Sequence, residues 1–209
     1  MGGLCPGRDY RMIRARERNT AMKKKSGMKH LARYLCLLMI FSTILTMPAF
    51  AAKKRVLVAY FSATGNTKAA AKKVKMASGG TLYRIRPQKA YTKADLNYNN
   101  SNSRATKEQS DESVRPAIKG KVRNIRKYDT IFIGYPIWWG REPKVIRTFL
   151  ESYNLKGKTI IPFCTSGSSG ISGSMKWIRE SAAGARVKKG KDLTDMSYEQ
   201  VKKWVSRMM

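Results

Sequence analysis

Residues 56–61 read Val-Leu-Val-Ala-Tyr-Phe, an apolar run without alternation. A strand with one wet face alternates apolar and polar residues, whereas a strand covered on both faces does not. The run therefore asks for a sheet with helices packed on each side. The same pattern returns at Thr130–Tyr135 (TIFIGY) and at Lys158–Cys164 (KTIIPFC). Each run is followed by a helical pattern. Thr67–Ala77 is alanine-rich and stops at Gly79-Gly80, Pro143–Tyr153 has proline in its first turn, and Ser172–Ala182 follows the third run. Thr81–Ile85 reads as a short strand ending before Pro87, Arg186–Lys188 as a weak strand, and Ser197–Met208 as a closing amphipathic helix. This alternation predicts an α/β fold, a doubly wound open parallel sheet in a three-layer α/β/α arrangement.

The beginning of the chain differs in kind. From Met22 it carries Lys23, Lys24, Lys25, Lys29 and Arg33, then an apolar run from Tyr34 to Met47, then Pro48 and the triplet Ala49-Phe50-Ala51. That is the layout of a secretory signal peptide over 22–51, cleaved near Ala51, and the run is shorter than the roughly 20 residues a membrane-spanning helix needs. A retained anchor is the other reading. Residues 1–21 precede the better start at Met22 and read as an upstream or disordered extension, which leaves 52–209 as the domain. Export would place it on the periplasmic or extracellular side of the envelope, with membrane contact only through the signal segment. After cleavage Cys164 is the one cysteine left, so the domain must rely on its core without a disulfide.

The formal net charge is +30, and the leader is not its main source: from Lys53 onward 33 Lys and Arg stand against 11 Asp and Glu, a net of +22. Such a field attracts anionic partners. The basic residues are scattered, with no zinc-ligand spacing, no RNA-recognition signature and no stripe of interleaved aromatics, so no specific nucleic acid is expected. One segment breaks the rhythm of the chain. Pro87–Ile118 is long, polar and rich in Asn and Ser, and compact domains rarely carry such a loop without a use for it. It either covers a sheet edge or reaches a binding site.

In an open parallel sheet, ligands bind outside the carboxyl ends of the strands, where the strand order reverses. Three loops leave those ends: Ser62–Thr67 (SATGNT), Pro136–Gly140 (PIWWG) and Cys164–Gly170 (CTSGSSG). The first offers hydroxyls and an amide around Gly65 at the start of a helix, where backbone N–H groups converge on an anion. It matches neither G-x-G-x-x-G nor G-x-x-x-x-G-K-[ST], which argues against dinucleotides and nucleoside triphosphates. An ordinary Gly-Asn turn with a threonine cap is the plainer alternative. The adjacent tryptophans of the second loop can stack on a planar ring or fill the core. Together the loops suit a ligand with one phosphate end and one flat aromatic end.

The stretches VLVAYFSATGNT, GYPIWWG and IIPFCTSGSSG resemble those of the flavodoxin family, specifically its short bacterial flavodoxin-like domains. The likeness extends through YTKADLNYN, NSRATKE, RPAI and TFLESYNLKGKTIIPF. It implies five strands in the order 2-1-3-4-5 with FMN at the switch point, flavodoxin being itself a standard example of that order. By matching loops, Ser62, Thr64, Gly65, Asn66 and Thr67 would wrap the phosphate. Pro136, Ile137, Trp138, Trp139 and Gly140 would flank the isoalloxazine, with Trp138 the stacking residue. Thr165, Ser166, Gly167, Ser168 and Gly170 would line its opposite side or edge. The chain departs from the family in being basic and carrying an export signal, in lacking a stacking aromatic in the third loop, and in its weak last strand.

The function this implies is FMN-dependent electron transfer by a monomer, with redox partner proteins that can be acidic. No side chain is arranged as an acid, base or metal ligand: His30 lies in the leader, and Cys164 has no His or Asp placed beside it in sequence. The alternatives are an NAD(P)H-dependent FMN reductase acting on quinones, and an FMN-binding or envelope-binding protein without turnover.

Overall fold

The computed structural model describes residues 55–209; the readings made for 1–21 and 22–51 lie outside them. The sheet is built from β1 (Val56–Tyr60), β2 (Thr81–Arg84), β5 (Thr130–Pro136), β6 (Thr159–Thr165) and the two short strands β7 (Arg186–Val187) and β8 (Lys191–Asp192). All pairings in it are parallel, and the order is β2-β1-β5-β6-β7, with β8 also on β6. Counting β7 and β8 as one interrupted strand gives the order 2-1-3-4-5. A small antiparallel pair, β3 (Arg86–Pro87) with β4 (Ile118–Lys119), lies apart from it.

The unalternating strands behave as their sequence requires. Leu57, Ala59 and Phe61 enter one core, and Val56, Val58 and Tyr60 enter the other. Helices α3 (Lys144–Glu151) and α4 (Met175–Ser181) close the first core with Val145, Ile146, Phe149, Leu150 and Ile178. Helices α1 (Asn66–Ser78) and α5 (Tyr198–Met208) close the second with Ala70, Ala71, Val74, Val201, Trp204 and Val205. Each Val, Leu, Ile or Phe among them is worth about 1.5–3 kcal/mol when fully buried, so the two faces together hold the fold. Gly134 in β5 is fixed by packing, because a Cβ there would sit 2.2 Å from the ring of Phe163 on β6.

The weak last strand has a local cause. Ile160 and Cys164 accept hydrogen bonds from Lys188 and Leu193, so position 162 faces the same outer neighbour. Pro162 has no N–H to offer there. The ladder breaks at that point and resumes, giving β7 and β8. The helix expected over 172–182 likewise begins as a 3-10 turn, Ser172–Ser174, before α4.

The polar segment between β3 and β4 is ordered. It contains a 3-10 turn at Ala94–Leu96 and a helix, α2 (Arg104–Ser110), capped by the Ser103 side chain on the N–H of Thr106. Its buried side, Ala105 and Gln109, is too short and too polar to show a helical period in sequence.

Candidate functional site

The register brings three loops to one edge. Tyr60, Gly134 and Phe163 lie in one row across β1, β5 and β6, and the N–H of Ile137 donates to the carbonyl of Thr165 at 2.9 Å. Thr67 and Thr165 share a buried side-chain hydrogen bond of 2.8 Å, which pins the first loop to the third. The threonine cap expected there does not form, because Gly65 takes the cap position and Thr67 lies inside α1.

No side chain caps α1, and no acidic residue stands in its first turn. Gly65 occupies the cap position at φ 108, a conformation that disfavours any residue with a Cβ, and its N–H donates to Ser62 Oγ at 3.1 Å. A Cβ on Gly65 would meet nothing within 4 Å, so the space in front of the helix is open. The first N–H groups of a helix have no intrahelical acceptor and carry the positive end of its dipole. An anion is what such a terminus can hold.

The second loop is a tight reversal. Trp138 and Arg141 exchange backbone hydrogen bonds of 2.8 and 3.0 Å around Trp139 and Gly140, both at positive φ (48 and 74). That is the geometry of a two-residue hairpin turn, which glycine tolerates and tryptophan resists. Gly173 packs directly against it, where a Cβ would lie 2.3 Å from the Gly140 carbonyl oxygen. Trp138 is 6 % exposed and meets Phe61 and Tyr91 edge-on at 5.5 and 5.0 Å between centroids. Trp139 is half-buried and stacks on Tyr98 at 4.2 Å, 24° between planes.

The tip of the third loop is folded on itself. Ser166 Oγ accepts from the N–H groups of Ser168 and Gly170, both at 3.2 Å, while the N–H of Ser166 donates to Thr194 Oγ1 at 2.8 Å.

Between these loops lies a cleft of about 650 Å³. Of the residues singled out in the sequence, Thr64, Asn66, Pro136, Ile137, Trp138, Thr165, Ser166 and Gly167 line it. Ser62, Gly65, Thr67, Trp139, Gly140, Ser168 and Gly170 are not among the residues that line it. The cleft is also lined by Leu96 and Tyr98 from the β3–β4 excursion and by Leu193, Thr194 and Asp195 after β8. The last three follow the same carboxyl-edge rule, and the interruption at Pro162 is what hid them. Tyr98, 55 % exposed, supplies an aromatic that the third loop lacks.

The excursion reaches the cleft because it is clamped from behind. Gln109 Nε2 donates to the carbonyls of Trp138 and Glu142 at 2.8 and 3.2 Å, and Arg141 Nη2 donates to the Gln109 carbonyl at 2.7 Å. Glu112 takes Arg141, Lys144 (3.1 Å) and Arg147 (2.6 Å). Burial opposes its charge, but hydrogen bonds from the three cations outweigh it and bring the carboxyl down to about 2. Glu142 is buried against Arg147 Nε at 2.7 Å, and desolvation pushes its carboxyl up despite that partner. Tyr91 is held by Glu108 and covered by Arg104 at 4.1 Å; burial, then the hydrogen bond to Glu108, raises its phenol. Cys164 is buried, and desolvation raises its thiol far above the range of a reactive cysteine.

A switch-point cleft with an uncapped helix N-terminus and aromatic walls defines a flavodoxin-like protein. The chain belongs to the flavodoxin family: the family model described as flavodoxin matches residues 55–208. It is similar to a protein assigned as a flavoprotein from Bacteroides eggerthii, at 46% identity over 74% of this chain and 97% of that one, with a TM-score of 0.71. A counterpart from Bacteroides uniformis shares 48% identity over 73% and 98%, also at 0.71. A flavoprotein from Lactobacillus acidophilus, solved in complex with FMN, shares the fold at 23% identity over 72% and 98%, with a TM-score of 0.58. No curated protein matches the chain.

Proposed function

We propose that the chain binds FMN in this cleft and works as an exported electron-transfer protein. The observation that carries the reading is the open, uncapped N-terminus of α1 at one end of a cleft walled by aromatics. A phosphate monoester fits the first end: Gly65 leaves room for it, and Thr64 and Asn66 stand beside the free amides. The planar ring would lie at the other end, where Trp138 and Tyr98 both line the cleft. FMN when bound supplies the redox chemistry. The chain's own part is to hold the phosphate, orient the ring and exclude water from one side of it.

The Lactobacillus acidophilus relative solved with FMN supports this choice of flavin. The test is an absorbance spectrum of the purified protein, followed by titration of stripped protein with FMN and with FAD. Tight binding of FMN and at least tenfold weaker binding of FAD is expected; no flavin binding at all would overturn the reading. Export predicts that the protein recovered outside the cytoplasm begins at or near Ala52, read by N-terminal sequencing.

One observation favours the reductase reading as a second possibility. The excursion walls a further hollow of about 920 Å³ beside the cleft, sharing Ala63, Thr64, Leu96 and Tyr98 with it. That is room for a small reactant such as a nicotinamide or a quinone. Rapid bleaching of bound flavin by NADH or NADPH in stopped flow would favour a reductase; no bleaching would favour a carrier reduced by protein partners.

A further inference from the structure

The charge of this domain is arranged along the strand direction. Val56, Thr130, Thr159 and Arg186 form one row, which marks the amino ends of β1, β5, β6 and β7. The loops at that edge are tied together: Asp129 N–H donates to the Arg55 carbonyl at 2.9 Å, Gly157 to Gly184 at 3.0 Å, and Lys158 Nζ to Tyr128 at 2.6 Å. On this platform stand Arg55 before β1, Arg123, Arg126 and Lys127 before β5, Lys156 before β6 and Arg186 at the start of β7, all exposed. The last turns of α1 and α5 add Lys75 and Arg207.

Among the described residues none of these eight cations forms an ion pair. Of the neighbouring carboxylates Glu151 is taken by Arg115 and Glu180 by Lys176, while Asp129, which accepts the N–H of Arg55, stays on the platform as one negative charge among the eight positive ones. At the opposite, cleft-bearing edge Lys68, Lys73, Arg84, Lys93 and Lys191 are interspersed with Asp95, Asp192 and Asp195. The ends of the same two helices also expose Met76 (62 %) and Met209 (44 %), apolar side chains bordering the cationic platform.

We propose that this edge docks on an anionic lipid surface, with the cleft turned away from it. Dispersed, unpaired cations on a platform of tied loops suit a layer of headgroups, and bordering methionines suit its apolar boundary. The exposed methionines beside the cations are what favours a lipid surface over a nucleic acid, which has no apolar boundary to receive them. Docking in this way leaves the cleft open to soluble partners, and it stands or falls independently of which flavin the cleft takes.

The test uses the protein as recovered from the producing cell, sedimented with vesicles of phosphatidylglycerol and phosphatidylcholine or of phosphatidylcholine alone. Each cation near such a surface is worth about fivefold in partition. Replacing Arg123, Arg126, Lys127 and Lys156 together by Glu should therefore weaken binding to the anionic vesicles at least tenfold. The control, Lys68→Glu with Lys93→Glu at the other edge, should change it less than threefold, and the wild type should release as salt rises from about 0.1 to 0.5 M. Thermal melts check folding, and the same four positions changed to Gln serve if the reversals unfold. Equal loss in both variants, or none in the first, would overturn the proposal. Tighter retention of duplex DNA than of anionic vesicles would assign the edge to nucleic acid and overturn it as well.

Discussion

Replacing Glu112 by Gln should loosen the excursion that walls the cleft, and the cost can be worked from the cations left behind. Lys144 and Arg147 have side chains that are 0 % and 3 % exposed, whereas Glu112 is 46 % exposed. Arg147 keeps Glu142, but Lys144 loses its one carboxylate. Removing one partner of a fully buried pair costs about 3–5 kcal/mol. Water reaching the half-exposed Glu112 screens the pair, so the expected loss is about 2 kcal/mol. For a domain of this size that is a fall in Tm of about 4–8 °C.

The pH dependence has a definite sign. The Glu112 carboxyl is depressed from 4.5 to about 2, so its stabilisation is fully present above about 4.5 and is lost as pH falls toward 2. The gap in unfolding free energy between wild type and Glu112→Gln, measured by urea denaturation, should be constant above pH 5 and shrink below 4.5. Adding Lys144→Met to Glu112→Gln should recover part of the loss, because the uncompensated ammonium is gone. A gap under 0.5 kcal/mol at pH 7, or a double variant no more stable than the single one, would refute the argument.

Three further outcomes are expected. Gly65→Val should cost about 1–2 kcal/mol of backbone strain at φ 108 and weaken FMN at least tenfold in a fluorescence titration; unchanged affinity would remove the phosphate from α1. Trp138→Ala should destabilise the domain by about 3–5 kcal/mol, while Trp139→Ala, losing a stack on Tyr98, should cost about 0.5–1.5 kcal/mol in chemical denaturation; Trp138→Leu, which keeps apolar volume but removes the ring, should lose more FMN affinity than Trp139→Ala, and the reverse order would make Trp139 the stacking residue. Gly134→Ala should lower stability by about 1–3 kcal/mol through its clash with Phe163, and Phe163→Leu in the same chain should restore part of it.

Much of the architecture was legible because burial on both faces leaves a mark in sequence. Val56–Phe61 and Thr130–Tyr135 have no polar alternation, and with a helical pattern after each they point to a sheet covered by helices on both faces. The first loop was legible for a related reason: a glycine among hydroxyls, directly before a helix, is a local signal. What the tertiary structure alone decided is anything that depends on residues far apart in the chain. That Thr67 bonds Thr165 is a contact across 98 residues. That Pro162 splits the last strand depends on which neighbour position 162 faces. The excursion is the largest case. Its residues are polar and carry no apolar period, so propensity could not order them. Their order comes from Gln109 and Glu112 meeting Trp138, Arg141, Lys144 and Arg147, partners that only the folded sheet brings within reach, and that is how Tyr98 comes to stand at the cleft.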